Sequence, residues 1–216
     1  MNIARRKRAA DAPRLDATAW TKAALERLAT NGVDGVGIEN LAKQLEVTKG
    51  SFYWHFKDRD ALFESMLSYW RRRATLSLIE RLDKGEVSPE ARLRRLLRLP
   101  IMGQGSSQAA DVELAIRLWA RRDVRARSAL EEVDQLRLHY IGGLLKECGV
   151  SEDEAHARAV LAYSYMRVAA TLIAANGKAL MEQCEDILLE RRDRTPAVTP
   201  PRRRGRPPGR SKGQAS

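Results

Sequence analysis

The sequence has few cysteines and no long apolar run, and each shortage excludes a class of protein. Two of the 216 residues are cysteines, Cys148 and Cys184; they match no metal-ligand spacing and are typical of small apolar core positions. No apolar stretch approaches the roughly 20 residues that span a bilayer, and none follows the basic N-terminus as in a secretory signal. We therefore expect a cytoplasmic protein that is not inserted in a membrane, with one or two domains.

The sequence also lacks the motifs of common catalytic sites. It contains no glycine-rich phosphate loop, no nucleophile motif and no set of metal ligands. The run Gly103-Gln104-Gly105 follows a predicted helix and no strand, so it does not indicate a dinucleotide site. We expect no enzyme activity, no bound metal and no cofactor.

Positive charge is what the sequence has in excess. The net charge is +11, from 39 basic and 28 acidic residues, and such a balance predicts an acidic polymer as partner. Residues 1–14 hold five basic residues and one acid, and residues 191–216 hold nine basic residues and one acid. The excess therefore lies in these two flanking segments, and residues 15–190 between them are nearly neutral. We expect this body of the chain to bind DNA through a local surface and not through its overall charge.

Helical periodicity runs through residues 16–192, and no stretch alternates convincingly as a strand would. Asp58 and Ser88 are predicted N-caps, and Ser88 is followed by a proline and an acid in the first helical turn. The pattern predicts an all-α fold of about nine helices, at 16–30, 38–45, 48–54, 58–83, 88–103, 107–121, 123–148, 152–175 and 178–192.

Two segments lie outside this pattern, a basic arm at 1–13 and a tail at 193–216. The tail holds five of the eight prolines and almost no large apolar residues, so we predict that it is disordered, as we do for the arm. Its run Arg204-Gly205-Arg206-Pro207 resembles an AT-hook, whose arginines enter the narrow minor groove of A·T-rich DNA. The alternative is a basic tail with nonspecific attraction to phosphates.

Residues 38–57 carry the pattern that points most directly to function. Their apolar positions have the spacing of the small core of a helix-turn-helix: Leu41, Ala42, Leu45, Val47 and Phe52. The second short helix then presents an outward face suited to major-groove readout and phosphate contact, made of Lys49, Ser51, Tyr53, Trp54 and His55. The alternative from this pattern alone is an ordinary helical hairpin whose aromatic residues are core.

The run from Gly32 to Phe63 adds a glycine-rich corner, Tyr-x-His-Phe at 53–56, Lys-Asp-Arg at 57–59 and the start of a long apolar helix. With these features, residues 14–74 resemble the DNA-binding domain of TetR-family regulators. The resemblance implies that Thr48 caps the recognition helix and that Gly50 lets it approach DNA closely. It implies DNA contacts by Thr48, Lys49, Gly50, Ser51, Tyr53, Trp54, His55, Lys57 and Arg59.

Two residues depart from the family pattern. Family members usually have glycine where this chain has Glu46, in a turn that favours left-handed backbone, and glutamate there costs about 1 kcal/mol. They usually have threonine or serine where this chain has Gly37, which is a weaker N-cap. Neither departure removes a predicted DNA-contact residue. We therefore expect both to affect the local stability of the helix-turn-helix and not its assignment.

The resemblance also implies that residues 75–192 form a helical regulatory and dimerisation domain. Helices 152–175 and 178–192 combine small and large apolar residues, which core packing and a four-helix dimer interface explain equally well; the resemblance favours the dimer. We expect a homodimer that binds double-stranded DNA at a palindromic operator, acts as a repressor and is released by a small-molecule effector. The alternative is a nonspecific architectural DNA protein that uses both flanking segments.

Overall fold

The computed structural model describes residues 15–76, 79, 88–102, 106–172 and 177–190. Within these ranges the regular structure is entirely helical, which confirms the predicted all-α class. None of the helices in these ranges is long and apolar enough to cross a membrane. The predicted basic arm at 1–13 and the tail, with its candidate AT-hook at 204–207, lie outside the described residues.

The N-terminal part of the fold consists of four helices joined by tight turns. A 3-10 turn at Val33–Gly35 connects the first two helices, and the fourth continues into a π-helical turn at Arg72–Leu76. The four helices are α1 (Ala17–Asn31), α2 (Ile38–Gln44), α3 (Lys49–Phe52) and α4 (Arg59–Arg71).

Five further helices form the rest of the described chain. They are α5 (Pro89–Met102), α6 (Ser106–Trp119), α7 (Val124–Glu147), α8 (Glu152–Leu172) and α9 (Lys178–Leu189). Helix α8 packs mainly on α7 and α5, and α1 of the N-terminal part packs on α6. This body therefore lies directly against the N-terminal helices.

Side-chain caps set the helix starts where the sequence predicts them. The carboxylates of Asp16 and Asp58 accept hydrogen bonds from the backbone N–H groups of Ala19 and Ala61, both at 2.8 Å. Ser88 Oγ accepts one from Ala91 N at 3.2 Å. Helix α3 is shorter than the predicted 48–54, because residues 53–55 form a turn after it.

The described residues form two apolar clusters, one of which extends from the N-terminal helices into the body. It includes Trp20 of α1, Phe63 of α4 and Trp119 of α6, and the rings of Phe63 and Trp119 lie 4.9 Å apart, edge to face. The other cluster joins α5, α8, α9 and the second half of α7. Because the first cluster spans the predicted domain boundary near residue 74, the packing of α4 depends on the body.

Besides the exposed ion pair of Arg71 with Glu132, two polar contacts connect α7 with α4 and the π-helical turn that continues it. Arg125, in the first turn of α7, donates to the carboxylate of Asp60 at 3.1 Å. Further along α7, Arg137 donates to the backbone carbonyl of Ala74 at 3.0 Å. The two contacts fasten the start of α4 and the π-helical turn at its end to the same helix of the body.

Candidate nucleic-acid interface

A buried aromatic core holds α3 against α1. The Phe52 side chain is fully buried, and its ring meets that of Trp20 edge to face at 5.4 Å. Phe56 stacks on Phe52 with ring centroids 5.4 Å apart. With the buried Leu41 and Ala42 of α2, these residues form the small core that the helix-turn-helix pattern predicts.

The aromatic run after Ser51 divides between the core and the surface. Phe52 and Phe56 are buried, whereas Tyr53 is 55% exposed and Trp54 is 87% exposed. His55, which follows Trp54, is also exposed. The structure therefore differs from the hairpin alternative, in which all of these aromatic residues are core, because the turn at 53–55 directs three large polar or amphipathic side chains to solvent.

The turn between α2 and α3 depends on left-handed backbone at Glu46. Its φ is +54°, which confirms the strain expected where related sequences have glycine. The N–H of Val47 donates to the carbonyl of Ala42 at 2.9 Å, and this bond closes the turn. Gly37 is the N-cap of α2 and, as expected, has no side chain to make a capping bond.

The first turn of α3 leaves its polar groups available. Thr48 is the N-cap by backbone geometry, but its hydroxyl makes no capping hydrogen bond. A Cβ built on Gly50 would meet nothing closer than Thr48 Oγ1 at 3.8 Å, so packing within the protein does not require glycine there. Thr48 and Gly50 are exposed and Ser51 is half-buried.

Lys49, the first residue of α3, forms an ion pair with Glu39 of α2. Its Nζ lies 2.9 Å from Glu39 Oε1, and both side chains remain largely exposed. The hydrogen bond and the charge of Lys49 lower the pKa of the Glu39 carboxyl, while Glu39 raises the pKa of Lys49 for the same two reasons. The sequence interpretation missed Glu39, because two charges ten residues apart on separate helices carry no recognisable spacing.

Arg59 has intramolecular partners in addition to its predicted role at DNA. Its Nε donates to the carbonyl of Val36 and its Nη2 to that of Val33, both at 2.8 Å. The guanidinium also lies 4.7 Å from the centre of the Phe63 ring. Arg59 thus holds the 3-10 turn against α4, while Lys57 is exposed just before the helix.

A buried charge cluster in the body is another group that the sequence interpretation missed. Glu113 of α6 is buried and accepts hydrogen bonds from Arg117 and Arg137, and Arg167 of α8 also pairs with it. Burial alone would raise the pKa of Glu113, but the charges of Arg137 and Arg167 and their hydrogen bonds outweigh it and lower the pKa to about 2. The Tyr163 hydroxyl joins the cluster, accepting from Arg137 at 2.8 Å.

Helices α8 and α9 present an uncovered apolar face. Leu161 is 62% exposed and Ile187 is 69% exposed. Other apolar side chains exposed on the same two helices are Val160, Val168 and Leu180. By contrast, Ala159, Ala162 and Leu188 are buried, so core packing within the chain explains these residues but not the exposed ones.

Comparison with known proteins agrees with this architecture. Residues 21–66 match the family model described as bacterial regulatory proteins, tetR family. The chain is 31% identical over 74 residues, 34% of its length, to YuxN, an uncharacterized HTH-type transcriptional regulator of Bacillus subtilis. It is 33% identical over 82 residues, 36% of its length, to the transcriptional regulator AcuR of Cereibacter sphaeroides. The aligned parts span 25% of YuxN and 36% of AcuR.

Solved structures resemble a larger part of the chain. A transcriptional regulator from Rhodococcus superimposes with a TM-score of 0.62 and 21% identity, covering 81% of this chain and 94% of that one. FadR of Bacillus subtilis, in complex with stearoyl-CoA, gives 0.57 and 19% identity over 79% and 96% of the two chains. AibR, in complex with isovaleryl coenzyme A and operator DNA, gives 0.56 and 16% identity over 82% and 96%. At these identities the likeness is one of fold.

Proposed function

Because the chain is a member of the TetR family of bacterial regulatory proteins, we propose that it is a transcriptional repressor that binds a palindromic operator as a homodimer in the cytoplasm. The observation that carries the proposal is the surface of the helix-turn-helix. Tyr53, Trp54 and His55 are exposed there beside Lys49, although their neighbours Phe52 and Phe56 are buried. Exposed large aromatic residues usually have a function, and phosphate and base contacts supply one here.

The proposed contact residues differ in what they offer DNA. Tyr53 and His55 donate to phosphates, and Trp54 contacts a thymine methyl group or a sugar. Thr48 and Ser51 supply hydroxyls, Gly50 permits close approach, and Lys57 adds a phosphate contact. We assign Arg59 a phosphate contact as well, made while it braces the turn at Val33–Gly35. The candidate AT-hook at 204–207 adds affinity through the minor groove.

We place the dimer contact on the apolar face of α8 and α9. Side chains such as Leu161 and Ile187 gain free energy when a second copy covers them. One short recognition helix reads few bases, so a two-fold pair reading two half-sites about one helical turn apart gives the needed specificity. The domain division at residue 74 follows from this proposal, with DNA binding before it and dimerisation after it.

The effector is a small molecule that binds the helical body and favours a conformation with low DNA affinity. FadR of Bacillus subtilis and AibR were solved with acyl-coenzyme A ligands, which makes thioesters of coenzyme A the first compounds to test. An effector that acts this way reduces operator affinity without competing for the helix-turn-helix. Measurement of operator binding with a panel of acyl-coenzyme A compounds checks this part.

A gel-shift competition tests the main proposal. Fragments are first selected from genomic DNA with the full-length protein, and binding is then challenged with excess random DNA at about 150 mM salt. A regulator retains one palindromic site, and Tyr53→Ala combined with His55→Ala abolishes that retention. A nonspecific architectural protein instead loses binding steeply with salt. If deletion of residues 193–216 removed all binding while the double variant changed nothing, the assignment to the helix-turn-helix would be wrong.

A further inference from the structure

The ion pair between Glu39 and Lys49 bridges the two helices of the DNA-reading unit. Lys49 opens α3 and precedes Gly50 and Ser51, while Glu39 lies in the first turn of α2. Their 2.9 Å contact leaves the Lys49 side chain 52% exposed and that of Glu39 72% exposed. Both charged groups therefore remain open to a partner that approaches the start of the recognition helix.

Stability gives little reason for this pair. An exposed ion pair contributes little to folding, since solvent screens the charges and ordering two long side chains costs entropy. Together, however, the two side chains present a hydrogen-bond donor beside an acceptor. The ammonium has two further N–H groups, and the carboxylate has further lone pairs.

A G·C base pair presents the complementary groups in the major groove. Guanine offers the acceptors O6 and N7, and cytosine offers the N4 amino group as a donor. O6 and N4 are hydrogen-bonded to each other, which sets them about 2.9 Å apart, close to the separation in the ion pair. An A·T pair fits less well, because a carboxylate that accepts from adenine N6 also faces the lone pair of adenine N7.

We propose that the Glu39–Lys49 pair determines one G·C base pair in each operator half-site, with the ammonium on guanine and the carboxylate on cytosine N4. The inference rests on the proposed function, since it assumes sequence-specific binding by α2 and α3. DNA phosphates repel the negative charge of Glu39, so an acid at this position would not be expected to favour binding. The proposal explains it as a determinant of sequence specificity.

Selection from a library of random DNA duplexes tests this role with the full-length protein. The variants are Glu39→Ala and Lys49→Ala, and Glu46→Ala is the control because it removes a charge from the same unit outside the pair. Wild type and the control should enrich one palindrome with a fixed G·C in each half-site. The two test variants should enrich the same palindrome with that position relaxed, so that its preference over A·T falls from about tenfold or more to near unity.

The exchange of the two charges gives a second readout. The double variant Glu39→Lys, Lys49→Glu should prefer C·G where the wild type prefers G·C, because donor and acceptor have changed places. If Glu39→Ala and Lys49→Ala enriched the wild-type site with every position unchanged, the specificity role would be overturned while the proposed function stood. A wild-type protein that enriched no sequence would overturn both.

Discussion

Glu46 occupies a backbone conformation that glycine adopts at lower cost. Its φ of +54° puts Cβ too close to the following carbonyl oxygen, which costs roughly 1–2 kcal/mol for a residue other than glycine. The side chain is exposed, so packing does not compensate for this strain. Part of the cost is offset because glutamate has less conformational freedom than glycine to lose on folding.

Glu46→Gly should therefore raise the free energy of unfolding by about 0.5–1 kcal/mol. Urea unfolding of the variant and the wild type measures the change. Glu64→Gly, at an exposed position inside α4, is the matched control and should lower stability by about 1 kcal/mol, because that helix interior disfavours glycine. A loss of stability at position 46 would show that the turn is not strained.

The second prediction for a single residue concerns Arg59, because its hydrogen bonds hold the 3-10 turn at Val33–Gly35 that precedes α2. Arg59→Lys keeps the positive charge but loses the planar fork that reaches Val33 and Val36 together. The free energy of unfolding should fall by about 1–2 kcal/mol in urea unfolding.

Lys57→Met is the control for this change, since Lys57 is exposed and should affect DNA affinity without affecting stability. An Arg59→Lys protein with wild-type stability and weakened DNA binding would instead indicate that the phosphate contact is the main role of Arg59.

At this scale the sequence predicted the strain at Glu46, because a glycine is expected there in related sequences. It did not predict the partners of Arg59 or the pairing of Glu39 with Lys49. Those contacts depend on where separate helices place the ends of long side chains, and helical periodicity does not determine that. The outward direction of Tyr53, Trp54 and His55 was predictable once the buried positions of Phe52 and Phe56 were assigned.

At the scale of elements, the cluster around Glu113 joins three helices of the body. Arg117 lies on the same helix as Glu113, Arg137 on α7 and Arg167 on α8. A buried carboxylate among guanidinium groups must stay ionised, because neutralising it leaves the arginines without their counter-charge. The packing of these helices thus depends on the ionisation of one residue.

This dependence predicts a pH effect. Because the pKa of Glu113 falls from 4.5 to about 2 on folding, the stability it adds is complete above about pH 4.5 and is lost as the pH falls towards 2. The shift corresponds to about 3 kcal/mol. Glu113→Gln should be destabilised at pH 7, and its difference from wild type should shrink in unfolding experiments at pH 3.

Glu132→Gln is the control, because Glu132 pairs with Arg71 at the exposed surface. It should differ little from wild type at either pH. A difference between Glu113→Gln and wild type that stayed constant from pH 7 to pH 3 would contradict the low pKa.

The helix starts were predictable because their signals are local. A capping side chain and the N–H group that it accepts from lie three residues apart, as at Asp16, Asp58 and Ser88. The cluster around Glu113 was not predictable, since its members lie up to 54 residues apart in the chain and meet only when α6, α7 and α8 pack. The end of α3 was predicted at residue 54, but the helix ends at Phe52. The core contact between Phe52 and Phe56 favours a turn between these residues, and this contact is likewise not visible in helical periodicity.

At the scale of the whole molecule, the exposed apolar face of α8 and α9 predicts that two copies of the chain form a dimer through it. Leu161→Glu combined with Ile187→Glu should convert a dimer to a monomer, because each charge would be buried without a partner in the interface. Sedimentation velocity measures the change, and operator affinity should fall with it. Val124→Glu, at an exposed position that begins α7, should leave the dimer intact. If the wild-type protein sedimented as a monomer, the proposed dimer interface on α8 and α9 would be excluded.

The contacts of Arg137 with Ala74 and of Arg125 with Asp60 have a consequence for making hybrid regulators. The Ala74 acceptor is a backbone carbonyl, so any residue at that position supplies it to Arg137. Asp60 meets Arg125 through its side chain, so that contact depends on the sequence of α4. A chimaera that exchanges the first 74 residues for those of another regulator therefore keeps the first contact whatever its donor. It keeps the second only when the donor has an acid in place of Asp60.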